Sequence, residues 1–173
     1  ISCRGGFAAN LSRDAYLWLG EAHARSFLEF RLLRQLLEWR LPVPVPVAAG
    51  YQRAGLAYRA DLLTEELPTR RTLVHALREG PLPAERWREI GSCVGRLHAH
   101  GVQHADLNAH NLLLDDGTVY VLDFDKGRIR ARGAWEQAVL ARLQRSLHKV
   151  TAGGPADRFG EREWHWLLEG CAG

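Results

Sequence analysis

The sequence contains no methionine, and of its 23 lysine and arginine residues only Lys126 and Lys149 are lysine. Cysteine is sparse as well: Cys3, Cys93 and Cys171 lie far apart, with no C-x-x-C pair. An odd, scattered set argues against a disulfide framework or a cysteine-built zinc site and fits a reducing compartment. Long apolar runs are missing; none approaches the roughly 20 residues that a bilayer-spanning helix needs. Residues 1–20 do not have the layout of a secretory signal, and there is no internal repeat. What remains is a chain of 173 residues, 46% hydrophobic and 25% charged, the proportions of a globular protein with room for one domain or two small lobes. The net charge is +3 and the pI is near 9.0. Arginine's planar fork grips phosphate bidentately, which suits an anionic partner. A genome that writes Arg for Lys gives the same composition. Nucleic acid is not expected, because no stacking-aromatic motif accompanies the basic residues.

One stretch, His104 to Lys126, carries the chemistry. Asp106 and Asn111 lie five apart in a segment that runs into Leu112–Leu114. Asp115-Asp116-Gly117 reads as a hairpin turn, and Thr118–Leu122 as the returning strand that delivers Asp123. The hairpin therefore predicts that Asp106, Asn111 and Asp123 meet at one edge. Carboxylate and amide oxygens suit a hard cation such as Mg²⁺, which also takes ligands from substrate phosphates. A carboxylate kept off the metal can accept a proton from a hydroxyl, and together these are the parts of phosphoryl transfer.

His-Ala-Asp-Leu-Asn-Ala-His-Asn followed by Asp-Phe-Asp-Lys-Gly-Arg resembles the protein-kinase catalytic loop and metal-binding tripeptide. More specifically it is similar to the 3-deoxy-D-manno-octulosonic acid (Kdo) kinase family of lipopolysaccharide core kinases. Arg4-Gly5-Gly6, Tyr16-Leu17-Trp18, Glu29–Leu33, Leu41–Pro44, Tyr58–Leu62 and Asp123–Arg130 extend the likeness along nearly the whole chain. The resemblance implies an α+β, two-lobe protein-kinase-like fold. Residues 1–64 would form a partial, β-rich small lobe and 65–173 a mostly helical large lobe.

By that resemblance Asp106 orients and deprotonates an acceptor hydroxyl, while Asn111 and Asp123 hold Mg²⁺ on the phosphates of ATP. Asn108 stands where protein-serine kinases carry a lysine; it could bond the acceptor or the catalytic loop. Glu29 would be the helix glutamate that pairs with a phosphate-binding basic residue, and Glu65 and Leu67 the hinge that holds the adenine. Lys126 and Arg128 are candidates for substrate binding. A glycine-rich hairpin and a phosphate-pairing lysine are also implied. Neither is visible before Lys126, so the front of the small lobe is expected upstream of Ile1, and residues 1–173 alone are expected to turn over little.

The periodicity predicts a helix over about Glu21–Trp39 with Phe27, Phe30, Leu33 and Leu37 on one stripe. Leu41–Pro46 cannot be helical, since each proline removes a donor. Strands are predicted near Val47–Tyr51 and Leu56–Leu63, and a short helix around Thr72–Glu79. A helix opened by Pro83 should bury Trp87, Ile90, Val94 and Leu97 and stop at Gly101. Further helices are predicted over Trp135–Leu147 and Phe159–Leu168. Asp125 takes the place of the tripeptide's glycine, which argues against a flipping activation segment. Beyond it Lys126, Arg128, Arg130, Arg132, Arg142, Arg145, His148 and Lys149 form a basic run opposed only by Glu136. This run points to an anionic substrate or bilayer surface.

The resemblance implies an ATP- and Mg²⁺-dependent kinase acting on a hydroxyl, expected to be the 4-OH, of a Kdo residue on lipid A, peripheral at the cytoplasmic face of a bacterial inner membrane. A lipopolysaccharide heptose kinase, another small-molecule kinase and a kinase-like binding module without catalysis share parts of the pattern.

Overall fold

The computed structural model describes residues 7–11, 16–17, 20–154 and 158–173; Arg4-Gly5-Gly6 and Trp18 lie outside the described residues. The chain falls into two units, Ile1–Leu67 and Pro68–Gly173.

In the first unit β1 (Phe7–Leu11) and β2 (Tyr16–Leu17) precede a 3₁₀ turn at Glu21–His23 and helix α1 (Arg25–Glu38). Strands β3 (Pro46–Ala54) and β4 (Ala57–Glu65) follow. β4 is the central strand, pairing antiparallel with β3 as well as with β1 and β2. Tyr58, Ala60 and Leu62 of β4 are buried at every second position, the alternation of a strand with one covered face. Part of the cover comes from α1: Tyr58 and Ala60 pack with Ala24 and Phe27. Two hydrogen bonds fix the docking. The Tyr58 hydroxyl accepts from the Arg25 N–H at 3.0 Å, and Ser26 Oγ donates to the Gly50 carbonyl at 2.7 Å.

Helix α1 differs from its predicted stripe. Its buried positions are Ser26, Leu33 and Leu36, with Phe27, Phe30 and Leu37 only partly covered. The helix stops because Arg40 turns left-handed at φ 55°. The N–H groups of Arg40 and Leu41 then bond the carbonyls of Leu37 and Leu36, a two-bond helix stop. The proline-rich segment beyond it cannot resume the helix.

The second unit is mostly helical. Helix α2 (Leu73–Glu79) starts at Thr72, whose hydroxyl accepts from the His75 N–H at 3.2 Å. Helix α3 (Ala84–Ala99) follows Pro83 and buries Trp87, Ile90, Val94 and Leu97, as its period requires. Gly101 ends it at φ 70°, and a Cβ there would strike the Arg130 carbonyl. Four short strands come next: β5 (Val102–Gln103), β6 (Leu112–Leu114), β7 (Val119–Val121) and β8 (Arg128–Ile129). β5 pairs with β8 and β6 with β7, both antiparallel. Helices α4 (Trp135–Thr151) and α5 (Glu161–Ala172) complete the unit.

α3 and α5 touch backbone to backbone. A Cβ on Gly91 would overlap the Leu167 carbonyl, and one on Gly170 the carbonyl of Arg88. In α5 Leu167 is the core residue, whereas Trp164 and Trp166 are partly exposed. The architecture is thus mixed: a four-stranded sheet with one long helix, then a helical unit holding two small ribbons.

Candidate active site

β5 delivers His104 into the interior, where it is 2% exposed. Its Nε2 lies 2.8 Å from the Leu122 carbonyl, and its Nδ1 lies 3.2 Å from the Asp106 N–H. A carbonyl only accepts and an N–H only donates, so the ring is neutral with its proton on Nε2. Burial agrees, pulling its pKa below the ordinary histidine range against the smaller opposing effect of the Leu122 hydrogen bond and the nearby carboxylates of Asp123 and Asp106. The ring also packs on Phe124, centroids 4.8 Å apart.

From His104 the chain makes a tight loop whose amides bond inward. The Asp106 carbonyl accepts from Asn108 Nδ2 at 2.9 Å and from Asn111 Nδ2 at 3.1 Å. Asn108 Oδ1 accepts from the His110 N–H at 2.9 Å. Of the two partners open to Asn108 in the sequence, acceptor or loop, it engages the loop with both ends of its amide. Leu107 and Ala109 are fully buried beneath, and the Ala109 N–H donates to Ser146 Oγ on α4 at 3.1 Å.

The hairpin then does what its sequence predicts. Leu112 pairs with Val121 and Leu114 with Val119, and Asp115 and Thr118 exchange backbone hydrogen bonds around a turn with Gly117 at φ 77°. The Leu122 N–H bonds the Asn111 carbonyl at 2.9 Å, so Asn111 and Asp123 flank the open end of the ribbon. Asp123 itself sits at φ 63°, a left-handed conformation that Asp and Asn tolerate better than most residues.

Asp106, Asn108, Asn111 and Asp123 line one cavity of about 820 Å³. Its other walls include Val74 and Arg78 of α2 and Arg142, Arg145, Ser146 and Lys149 of α4. Arg142 ion-pairs with the Asp106 carboxylate at 2.7 Å. Lys126 and Arg128 are not among the lining residues; Lys126 is exposed in the turn closed by the Gly127–Phe124 hydrogen bond, and Arg128 pairs with Gln103 in the β5–β8 ribbon. The basic wall comes from the later part of the basic run. Arg142, Arg145 and Lys149 stand at helical spacing, the signal that would have singled them out; Arg78, Ser146 and Val74 left none.

The donor set fits Mg²⁺. Asn111 directs its Nδ2 to Asp106, which leaves Oδ1 as the oxygen for a cation, and Asp123 has no ion pair among the described residues. Among those residues no three His, Cys, Asp or Glu side chains gather into a metal cage. A cation here would draw its remaining ligands from phosphate and water.

The three nucleotide candidates belong to the first unit. Glu29 is half-buried on α1. Glu65 ends β4, with its N–H donated to the Val45 carbonyl at 2.8 Å, and Leu67 lies two residues beyond.

Neither described cysteine offers an alternative chemistry. Cys93 is buried against the Val119 carbonyl, and desolvation pushes its thiol up to about 12; burial takes Cys171 to about 11.

A carboxylate beside a second carboxylate and an amide around one cavity is an arrangement that suits group transfer from phosphate. The lipopolysaccharide kinase (Kdo/WaaP) family matches residues 2–170, and the chain belongs to that family. It is 50% identical over 150 residues to the 3-deoxy-D-manno-octulosonic acid kinase of Xanthomonas campestris pv. campestris (strain B100), covering 85% of this chain and 59% of that protein. The protein of the same name from Stenotrophomonas maltophilia (strain K279a) is 49% identical over 152 residues, and that of Xylella fastidiosa (strain M12) 47% over 149, with the same coverage. The chain thus spans about three fifths of the length of the curated relatives it matches.

Proposed function

We propose that this chain carries the catalytic site of an ATP-dependent kinase that phosphorylates the 4-OH of a Kdo residue on a lipid A-type glycolipid, at the cytoplasmic face of a bacterial inner membrane. The observation that carries this reading is the convergence of Asp106, Asn111 and Asp123 on one cavity in a chain half-identical to proteins named for Kdo phosphorylation.

Asp106 aligns the acceptor hydroxyl and accepts its proton as the oxygen attacks the γ-phosphorus and the bond to the bridging oxygen breaks to release ADP. Asn108 keeps the loop in shape for that task, since its amide bridges Asp106 and His110. Asn111 and Asp123 would hold Mg²⁺, which supplies charge neutralisation at the transferring phosphate. Glu29, Glu65 and Leu67 are assigned to the nucleotide by resemblance alone. No helix among the described residues is long and apolar enough to cross a membrane, and the exposed Arg128 and Arg130, outside the cavity lining, support a peripheral contact with an anionic surface.

The test is transfer of label from γ-labelled ATP. Kdo–lipid A and a heptose-bearing core acceptor are offered in parallel with Mg²⁺ present, and the labelled hydroxyl is located by mass spectrometry. Label on the Kdo 4-OH is the expected result. Label on heptose alone, or on neither sugar, overturns the reading.

A further inference from the structure

The cavity has more positive charge than its own carboxylates require. Arg142, Arg145 and Lys149 line it from successive turns of α4, spaced i, i+3 and i+7, and Arg78 joins them from α2. Residues at that spacing share one helix face over about 10 Å. Against these four cations the lining set offers two carboxylates, Asp106 and Asp123. Arg142 is paired with Asp106, whereas Arg78, Arg145 and Lys149 have no carboxylate partner among the described residues. A solvated basic face is the ordinary explanation for such a run, but these side chains border the cavity that holds the proton acceptor. Like charges gathered there repel one another until an anion arrives.

Two anions could fill that need: the phosphates of the nucleotide, or an acid group on the acceptor. Arg142 favours the second. It bonds the carboxylate assigned to the acceptor hydroxyl, not the one assigned to the metal. A guanidinium carries five N–H donors in a planar fork, so Arg142 can keep Asp106 with one and receive a second oxyanion with the others. An anion held that way lies within one side chain's reach of the proton acceptor, where an acid group on the ring that bears the reacting hydroxyl would fall.

We propose that Arg142, Arg145, Lys149 and Arg78 form an acid-reading subsite for a carboxylate carried by the acceptor sugar itself. Arg142 is the positioning residue that couples occupancy of this subsite to the orientation of Asp106. The proposal rests on the acceptor reading above and adds the feature by which the acceptor is chosen: a sugar acid is taken, and a neutral sugar of the same shape is refused. A phosphate of the glycolipid offers the same ligand chemistry, and the experiment separates the two sources.

The experiment has a binding arm and a kinetic arm, both on the full chain. In the first, free Kdo and its carboxyl-reduced form are titrated by NMR without nucleotide. The acid should bind roughly 10- to 100-fold more tightly, the scale of a hydrogen-bonded charge pair, and Arg145→Gln/Lys149→Gln should abolish that preference. Equal binding of both forms by the parent overturns the proposal whether or not any sugar is phosphorylated, so its failure is distinct from failure of the kinase assignment.

In the second arm, the double variant should raise the acceptor KM by roughly tenfold or more and leave the KM for ATP unchanged. Arg142→Gln should lower kcat as well, and Arg142→Lys, which keeps the charge but not the fork, should recover part of the loss. A rise confined to the KM for ATP assigns the cations to the nucleotide and overturns the proposal. If removing the lipid A phosphates, and not reducing the Kdo carboxyl, reproduces the acceptor defect, the subsite reads phosphate and the carboxylate assignment is wrong.

Discussion

His104 and the Leu122 carbonyl, 2.8 Å apart, join the two halves of the site. The same ring accepts from the Asp106 N–H, so a single neutral imidazole sets the loop that carries Asp106 against the segment that carries Asp123. Protonation removes the lone pair that Asp106 uses. His98, buried edge-on to Trp135, is likewise held below its ordinary range, chiefly by desolvation, with Glu136 opposing the shift and Arg132 adding to it. Because both folded-state pKa values are depressed, the unfolded chain binds protons that the folded chain refuses. The stability these rings contribute is complete above the ordinary value of about 6.5 and is lost as pH falls below it. Melting temperature should therefore drop between pH 7.5 and 5.5, and His98→Leu should flatten part of that slope. A melting temperature that rises on acidification contradicts the assignment.

On the proposed roles, Asp106→Ala should lower kcat by roughly 10²–10⁴-fold while changing ATP affinity little, since it removes the proposed proton acceptor and leaves Asn111 and Asp123 in place. Steady-state kinetics with both substrates varied provide the check. An equal loss in both parameters would make Asp106 a structural residue.

Asp123→Asn should abolish Mg²⁺-dependent nucleotide binding with the fold intact. Asparagine is the suitable probe because it tolerates the left-handed backbone found at φ 63°. It removes charge without adding backbone strain. Calorimetric titration with Mg·ATP and with ATP in EDTA separates the metal-dependent part.

Gly91→Ala should destabilise the second unit by about 1–3 kcal/mol, the usual range for overpacking, because the obstructing atoms belong to the α5 backbone at Leu167. Gly50→Ala, where an added Cβ meets nothing within 4 Å, should stay within about 0.5 kcal/mol. Denaturant unfolding of the two variants side by side measures the contrast.

The elements legible in the sequence were those governed by local rules. Pro83 and the Trp87–Leu97 period announced α3, and Asp115-Asp116-Gly117 announced the hairpin. The convergence of Asp106, Asn111 and Asp123 followed from that turn, because a two-stranded ribbon returns the chain to where it left. What escaped was long-range. Nothing near Asn108 says that Ser146, 38 residues on, caps the next amide. The basic run gave the sign of the wall but not its members, since Lys126 and Arg128 lie nearer in sequence than Arg142 and yet do not line the cavity. In α1, Leu36 and Leu37 differ by 100° around the helix, a distinction that periodicity does not make where leucine stands at both positions.

The β6–β7 ribbon works as a ruler. Its register, Leu112 opposite Val121 through Leu114 opposite Val119, sets the interval between Asn111 and Asp123, while the turn that closes it touches neither residue. Composition at Asp115, Asp116 and Thr118 is therefore open to change, but Gly117, held at φ 77°, and the length are not. A single inserted or deleted residue would slide one strand by a step, turn its side chains to the opposite face and carry Asp123 out of line with Asn111. Substitutions at Asp115, Asp116 and Thr118 should be nearly silent, and one-residue indels in the turn should abolish the proposed activity as thoroughly as loss of Asp123.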